Sequence, residues 1–449
     1  LNFVLTQDFL DQFIQAIEKK DDAWLIEATK DLFPADISSI LDKLDTEECK
    51  YVIHLLDKEV SADIISDLDP DIRATFLKKF EPQEIAALLH HTDSDDAADI
   101  LNELPLKTRE EIIAFVDEED RKNILDLLRY EEDSAGGLMA KELIKANINW
   151  DVVQCIEEIR RQAENVEKIH SVYVVDDENR LLGRVSVKKL ILSRAETKVA
   201  DIYEPDIVAV RSYDSAENVV ELMKKYDLEA VPVVNVQGEL LGRITIDDVV
   251  DVMTEQAELE RQAMSGISEN VEEDDSVWKL TRARLPWLII GMTGGLLGAR
   301  FMGLFEKDLV LVPALAFFIP LITATGGNVG IQSATLVVQT LAEKPALQEN
   351  LASRLLKSLL VALSSGIVIA GVVFGFNILY TQNIKLAAVV SIALFAVVMI
   401  ASLSGTLTPI ILSKIGINPA VASGPFITTA NDLIGLAVYF SVAKLLYGI

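Results

Sequence analysis

Apolar and polar positions keep different rhythms along the chain, and the changes of rhythm mark its parts. From the start to about residue 130, short apolar stretches of helical spacing are broken by Asp-Pro, Glu-Pro and Leu-Pro turns, which predicts an all-α region. A repeat runs through it. Ala62-Asp63-Ile64-Ile65-Ser66-Asp67-Leu68 returns as Ala98-Asp99-Ile100-Leu101-Asn102-Glu103-Leu104, and Asp31-Leu32-Phe33-Pro34 echoes Asp67-Leu68-Asp69-Pro70. The period of 36 predicts helix pairs stacked as a small solenoid. Residues 131–140 form a Gly-containing junction, and beyond it strands and helices mix. Val174-Val175 followed by Leu181-Leu182-Gly183-Arg184-Val185-Ser186 matches Val233-Val234 followed by Leu240-Leu241-Gly242-Arg243-Ile244-Thr245, a period of 59. Each copy reads strand, turn, strand, helix. Residues 248–275 read as an acidic connecting helix, from Asp248 through Glu260 to Asp275. Five apolar stretches follow, near 285–305, 309–341, 355–380, 386–412 and 419–447. Each is long enough to cross a bilayer, which takes about 20 residues.

Charge divides the chain at the same place. Residues 1–275 hold 65 of the 70 acidic residues and 30 of the 41 basic ones, a net of −35; the remainder carries +6. A phosphate-binding face needs the opposite sign, so nucleic acid is not expected as a partner. Such a charge makes a folded domain repel itself unless cations relieve it; ordinary solubility is the plainer reading. Cys49 and Cys155 lie far apart with no metal-ligand spacing, which fits a reduced, cytosolic setting. No secretory signal opens the sequence at Leu1-Asn2-Phe3, and the absent Met reads as a trimmed start. Around the apolar stretches, Lys279, Arg282, Arg284, Lys344, Arg354, Lys357 and Lys414 collect on one side, and Arg300, Lys307, Lys385 and Lys444 on the other. The excess on the first side predicts that it is cytosolic, which leaves the C-terminus outside.

The membrane part carries one deep carboxylate, Asp432, within Phe426-Ile427-Thr428-Thr429-Ala430-Asn431-Asp432-Leu433. A charge at the bilayer centre costs about 2.5–3.5 kcal/mol, so it is expected to face a cavity or an ion path; a structural bond to a neighbouring Asn or Thr is the alternative. Gly326-Gly327-Asn328-Val329-Gly330 in the second stretch and Ser423-Gly424-Pro425 in the fifth are expected to release backbone carbonyls from the helical ladder. Carbonyls, Asn328, threonines and one carboxylate suit a hard cation that keeps its water, as Mg²⁺ does. Close helix packing is the expected use of Gly291, Gly294, Gly295 and Gly298.

The two 59-residue copies resemble a CBS-domain pair, a regulatory module that often binds adenosine nucleotides. Gly326-Gly327-Asn328-Val329-Gly330-Ile331-Gln332-Ser333-Ala334-Thr335, Asn431-Asp432 and Glu131-Glu132-Asp133-Ser134-Ala135-Gly136-Gly137-Leu138-Met139 resemble the MgtE family of magnesium channels. The resemblance spans the chain. It implies a multidomain membrane protein: an all-α helical-repeat N-domain (1–130), an α/β CBS pair (131–247), a connecting helix (248–278) and a five-helix transmembrane domain (279–449). It implies a homodimer in the plasma membrane with a shared pore at Asp432, lined also by Asn328, Gly327, Ala430 and Asn431. It further implies cytosolic Mg²⁺ sensors that close the pore, matched in kind by Asp95, Asp96 and Asp99, by Glu217 and Asp227, and by Asp248, Asp251, Glu255 and Glu258. On spacing alone Asp248, Asp251 and Glu255 share one helical face, which also fits a solvated surface. Two departures stand out. Asn418 replaces an acid that family members can carry before Pro419. The first CBS copy has Ser186-Val187-Lys188-Lys189 where a nucleotide-binding copy has an acid, whereas the second keeps Thr245 and Asp248, leaving ATP open as a ligand there.

A passive Mg²⁺ channel needs no catalytic residue, and no P-loop, nucleophile triad or metal-hydrolase motif is present in the sequence. The chain is therefore not expected to be an enzyme. The alternatives are a proton- or Na⁺-coupled divalent-cation carrier, and a membrane scaffold that senses Mg²⁺ or nucleotide without transport.

Overall fold

The computed structural model describes residues 3–68, 70–163, 166, 168–271, 275–343 and 351–448. Asp69 of the repeat, residues 272–274 of the acidic stretch and Lys344 lie outside the described residues. The chain divides into two compact units, Leu1–Met253 and Thr254–Ile449.

The first unit opens with α1 (Gln7–Lys19), α2 (Asp22–Thr29), α3 (Pro34–Leu41), α4 (Thr46–Leu55), α5 (Lys58–Asp67), α6 (Pro70–Leu77), α7 (Pro82–Leu89), α8 (Ser94–Asn102), α9 (Leu106–Ile113) and α10 (Glu118–Leu127). From α2 onward the helices begin at 22, 34, 46, 58, 70, 82, 94, 106 and 118, a step of 12. The 36-residue period thus holds three helices, where a pair was expected. The buried positions keep the same step: Ile37, Ile40 and Leu41; Cys49, Val52 and Ile53; Ile85, Leu88 and Leu89; Ala97, Ile100 and Leu101. Each triplet at n, n+3, n+4 is one apolar stripe of a two-turn helix, and each helix packs on the next but one, α3 on α5, α5 on α7 and α7 on α9. Where the first position of the triplet is polar, it closes the helix behind it. Cys49 Sγ donates to the Leu41 carbonyl (3.3 Å), Ser61 Oγ to Ile53 (3.0 Å), Arg73 Nη1 to Ile65 (3.2 Å) and Arg109 Nε to Leu101 (2.9 Å), each eight residues back. These bonds satisfy carbonyls that a helix C-terminus leaves open. The step also places acids at helix starts, where the dipole favours them. Asp45 accepts from the N–H groups of Glu47 and Glu48, and Asp117 from those of Glu119 and Asp120. Part of the acidic excess is therefore helix capping.

The α/β region follows. β1 (Ile144–Asn147), β2 (Val172–Val175), β3 (Leu181–Val185) and β4 (Glu204–Pro205) form one sheet in that order, with α11 (Val152–Gln162), α12 (Val187–Leu192) and α13 (Val199–Ile202) between them. β5 (Val210–Arg211), β6 (Ala230–Val234) and β7 (Leu240–Thr245) form the second, with α14 (Ala216–Tyr226) before β6. β1 and β5 pair parallel to β2 and β6, and the hairpin partners β3 and β7 pair antiparallel. The two copies join at their hairpin turns: Leu181 N–H donates to the Gly238 carbonyl and Leu240 N–H to Asn179, both at 2.9 Å. The Gly-containing junction belongs to the second copy. Ala135 N–H donates to Asp214 (2.7 Å) and Gly136 N–H to Ser212 (2.8 Å). A Cβ at Gly136 would strike the Tyr130 ring, so glycine is required there by close approach.

α15 (Ile246–Met264) begins in this unit and ends in the second. It stops short of Asp275, because Gly266 (φ +79°) reverses the chain in the left-handed conformation that ends helices. Five helices long and apolar enough to cross a membrane follow: α16 (Val277–Gly303); then, after the short α17 (Glu306–Leu311), α18 (Ile319–Glu343) with its 3₁₀ lead-in from Pro313; α19 (Leu351–Thr381); α20 (Ile384–Lys414); and α21 (Pro425–Tyr447). α20 is the core, packed against α18, α19 and α21. α16 and α19 turn large apolar side chains outward, among them Leu288, Met292, Val368 and Phe376. Such faces belong in lipid or against another chain.

Candidate functional sites

In the first unit α5, α8 and the start of α15 bring their acids together. Asp95 is buried, with one oxygen, Oδ1, lacking a hydrogen-bond partner among the described residues. Burial pushes its carboxyl well above the usual range, and Asp248, Asp96, Asp93 and Glu142 push it further. Burial raises Asp99 to about 7 and Asp248 to about 6. It also raises Asp96, Asp67 and Asp251, with Asp251 and Asp247 acting on Asp96, Asp63 and Asp96 on Asp67, and Asp247 on Asp251. Asp96 and Asp99 are crowded by surrounding atoms yet remain exposed to solvent. Arg73 opposes the crowding at Asp96 and Asp99, but its guanidinium is already committed to Glu103 (3.0 Å) and to the carbonyls of Ile65 and Ser66. Thr245 stabilises Asp248, donating from its backbone (2.9 Å) and its hydroxyl (2.7 Å) to Oδ2. These side chains offer oxygen atoms alone, the set that suits a hard cation such as Mg²⁺.

The cluster takes in Asp95, Asp96, Asp99, Asp248 and Asp251 of the expected residues. Glu217 and Asp227 stand exposed at opposite ends of α14 and are not brought into it, and Glu255 and Glu258 are exposed further along α15. Asp63, Asp67, Asp247 and Glu142 are additional members. The repeat carried the signal for Asp63, which stands 36 residues before Asp99.

In the second unit α18 is a continuous helix through Gly326, Gly327 and Gly330, so these glycines do not release carbonyls as expected. They permit contact instead. A Cβ on Gly327 would lie 3.1 Å from Thr428 Cγ2 and 3.8 Å from Asp432 Oδ1; one on Gly326 would lie 2.9 Å from Val397; one on Gly330 would strike the Asn431 amide. Three α-helices thereby approach through small residues. Gly294 packs the same way on Thr429, but Gly291 and Gly295 meet nothing within 4 Å in this chain, contrary to expectation. Asp432 is half-buried and has no hydrogen bond or ion pair among the described residues, whereas Asp308 is paired with Lys444 (3.3 Å). Asn431 is buried and accepts from Ser404 Oγ on α20 (2.7 Å), a tie that fixes α21 beside Asp432. Asn328 is exposed, Ala430 partly so. Ser333, Ser402, Ser358 and Thr406 link α18, α20 and α19 in one hydroxyl seam at 2.7–3.2 Å. Before α21 the backbone does leave the helical ladder, in a 3₁₀ turn capped by Asn418 Oδ1 on Ala420 N–H (2.8 Å).

The sequence model of a family described as a divalent cation transporter, MgtE, matches residues 319–442. The MgtE intracellular N domain matches 32–133, and CBS domains match 135–196 and 199–255. The chain is 34% identical over 440 residues to the magnesium transporter MgtE of Thermus thermophilus, covering 96% of this chain and 97% of that one. It is 35% identical to that of Enterococcus faecalis, covering 73% of this chain and 72% of that one. The chain belongs to the MgtE family of magnesium transporters. MgtE proteins are transporters and not enzymes, in keeping with the expectation from sequence. The fold agrees: the cytosolic domain of the Mg²⁺ channel MgtE in complex with ATP superposes with a TM-score of 0.51 at 34% identity, over 54% of this chain and 99% of that one.

Proposed function

We propose that this MgtE chain is a passive, Mg²⁺-selective channel, closed by Mg²⁺ bound at the cluster of α5, α8 and α15. The observation that carries the reading is the buried Asp95 with its unpartnered oxygen among like charges. Bound Mg²⁺ would hold α8 of the helical domain against the start of α15; without it, repulsion favours their separation. The far end of α15 offers the link to the pore. A Cβ on Gly424 would lie 2.9 Å from the Met264 carbonyl, and one on Gly266 2.9 Å from Pro425, so a shift of α15 bears on the first turn of the helix carrying Asp432.

One carboxylate per chain and the outward apolar faces of α16 and α19 support a homodimer with the pore shared between copies. A single carboxylate from each copy would hold a hydrated ion without trapping it. The distribution of Lys and Arg supports a plasma-membrane orientation with the large unit cytosolic and the C-terminus outside. An inside-negative potential then drives entry, at about 2.3 kcal/mol per charge per 100 mV. Glu217, Asp227, Glu255 and Glu258 are assigned to outlying ion sites on α14 and α15. The relative's ATP complex supports ATP as a second ligand of the CBS pair, with Thr245 and Asp248 available to it. Unpartnered Tyr173 Oη and Arg243 Nε also mark the seam between the two copies.

Current recording in liposomes tests the channel reading. Discrete conductance that follows the Mg²⁺ gradient and closes as cytosolic-side Mg²⁺ rises is the expected result. Uptake that tracks a pH or Na⁺ gradient at fixed voltage would mean a carrier, and no flux at all would mean a scaffold.

A further inference from the structure

We propose that His90, Asp117 and Asp120 form a binding site for a divalent first-row transition ion on the surface of the helical repeat. His90 ends α7, Asp117 caps α10, and Asp120 lies in the first turn of α10. His90 Nδ1 lies 2.8 Å from Asp120 Oδ2 and 3.0 Å from Asp117 Oδ2, and the three ligand atoms all fall within 4.8 Å of one another. An octahedral ion with bonds of about 2.1 Å sets adjacent ligands about 3.0 Å apart, which the two separations from the imidazole nitrogen match. Asp117 is pre-set for this. Its Oδ1 is held by the N–H groups of Glu119 and Asp120, which leaves Oδ2 turned to the imidazole.

A plain ion pair accounts for the geometry less well. Nδ1 carries one proton and faces two carboxylates, so even imidazolium leaves one negative charge over. Among the described residues no Lys or Arg pairs with either acid. The repeat provides an internal comparison. One period earlier, His54 Nε2 meets Glu84 at 3.4 Å, but Glu84 also holds Lys50 Nζ at 3.1 Å. Thirty-six residues after Lys50 stands Ala86. The lysine that balances the earlier copy is missing from the later one, and the second acid has turned onto the histidine. A divalent ion bound to neutral imidazole and two carboxylates makes the site electrically neutral. An imidazole nitrogen favours Mn²⁺, Fe²⁺, Co²⁺, Ni²⁺ or Zn²⁺ over Mg²⁺. The all-oxygen cluster on α5, α8 and α15 lacks that nitrogen and so discriminates less against Mg²⁺. Exposure of the trio leaves the remaining positions to water.

The test is calorimetric titration of the full-length chain in detergent with Zn²⁺, in excess Mg²⁺ that occupies the carboxylate sites. One Zn²⁺ per chain is expected to bind. His90→Ala should remove it and Asp120→Asn weaken it at least tenfold. His54→Ala, which alters the matching histidine, should leave it unchanged. His90 is exposed, so its replacement does not hollow the core; circular dichroism and a second variant, His90→Gln, guard against misfolding. No Zn²⁺ bound in excess Mg²⁺, wild-type binding by His90→Ala and His90→Gln, or the same loss in His54→Ala as in His90→Ala would each overturn the site.

Discussion

The acidic cluster of the first unit and Asp432 of the second both lack a free counter-cation among the described residues, and they are built on opposite terms. In the cluster at least five acids crowd one another, one of them buried with an orphaned oxygen. Asp432 stands alone against glycine and threonine. Crowded carboxylates gain stability by holding an ion tightly, and the ion acts as a structural part. A lone carboxylate can only hold an ion loosely, through its waters, which is what conduction requires. The largest expected effect follows from the second case. Asp432→Ala should lower Mg²⁺ flux into liposomes at least 100-fold while the protein still assembles in membranes, and Asp95→Asn should leave flux at low Mg²⁺ intact. Wild-type flux through Asp432→Ala would erase the distinction.

The next effect concerns what positions Asp432. Gly330→Ala puts a methyl group into the Asn431 amide, and overpacking of this kind costs about 1–3 kcal/mol. Thermal unfolding of the purified transporter should shift down by several degrees, with reduced flux. Gly295→Ala meets nothing in the chain and should shift neither. Equal behaviour of the two variants would mean that α18 and α21 do not rely on this contact.

The five spans and the 59-residue copies were legible because their signals are long: runs of apolar residues, and strand pairs in register. The 12-residue step was harder to read. Its polar anchor changes identity from Cys49 to Ser61 to Arg73, and only the backbone bond it makes is constant. The eye catches the 36-residue recurrence and misses the two helices within it that differ in sequence. The glycines of α18 misled for a related reason. Gly signals both a loosened backbone and a close contact, and only the partner helix, with Asn431 and Thr428 at the right height, decides between them. Asp67 was visible as a residue but not as a neighbour of Asp251 on α15, since that proximity joins distant parts of the chain.

Neutralising the cluster should act on regulation and on folding in opposite directions. Asp95→Asn with Asp248→Asn relieves the crowding that an ion would offset, so the metal-free protein should gain stability; Mg²⁺ is expected to protect the wild type from protease, and the double variant much less. Unchanged Mg²⁺ protection in the double variant would detach these residues from the sensor. The same crowding sets a pH dependence. Asp99 near 7 and Asp248 near 6 lie above the ordinary value of about 3.9, so the folded state binds protons more tightly than the unfolded one. Stability without metal should therefore fall as pH rises from about 4 to about 7. If Mg²⁺ binds there as proposed, it would take the place of those protons and should flatten the slope. A urea midpoint that rises with pH in the absence of metal would have the wrong sign.

The smallest effect is expected where charge is present without crowding. Glu255 and Glu258 continue the acidic face of α15 but are exposed, and Glu258 has a neighbouring cation in Arg261 at 3.8 Å. Water and salt already screen charges so placed, and a surface pair of this kind contributes about 0–1 kcal/mol. Glu255→Gln with Glu258→Gln should shift the Mg²⁺ concentration for half-closure less than twofold, against a much larger shift for the Asp95 and Asp248 pair. Both double variants replace two acids by amides, so the substitutions are matched, and what differs is the crowding and burial of the acids replaced. If the two shifts are equal, net charge governs closure; if they differ as expected, the sensor is the crowding of acids around the buried Asp95, and most of the acidic excess elsewhere serves capping and solubility.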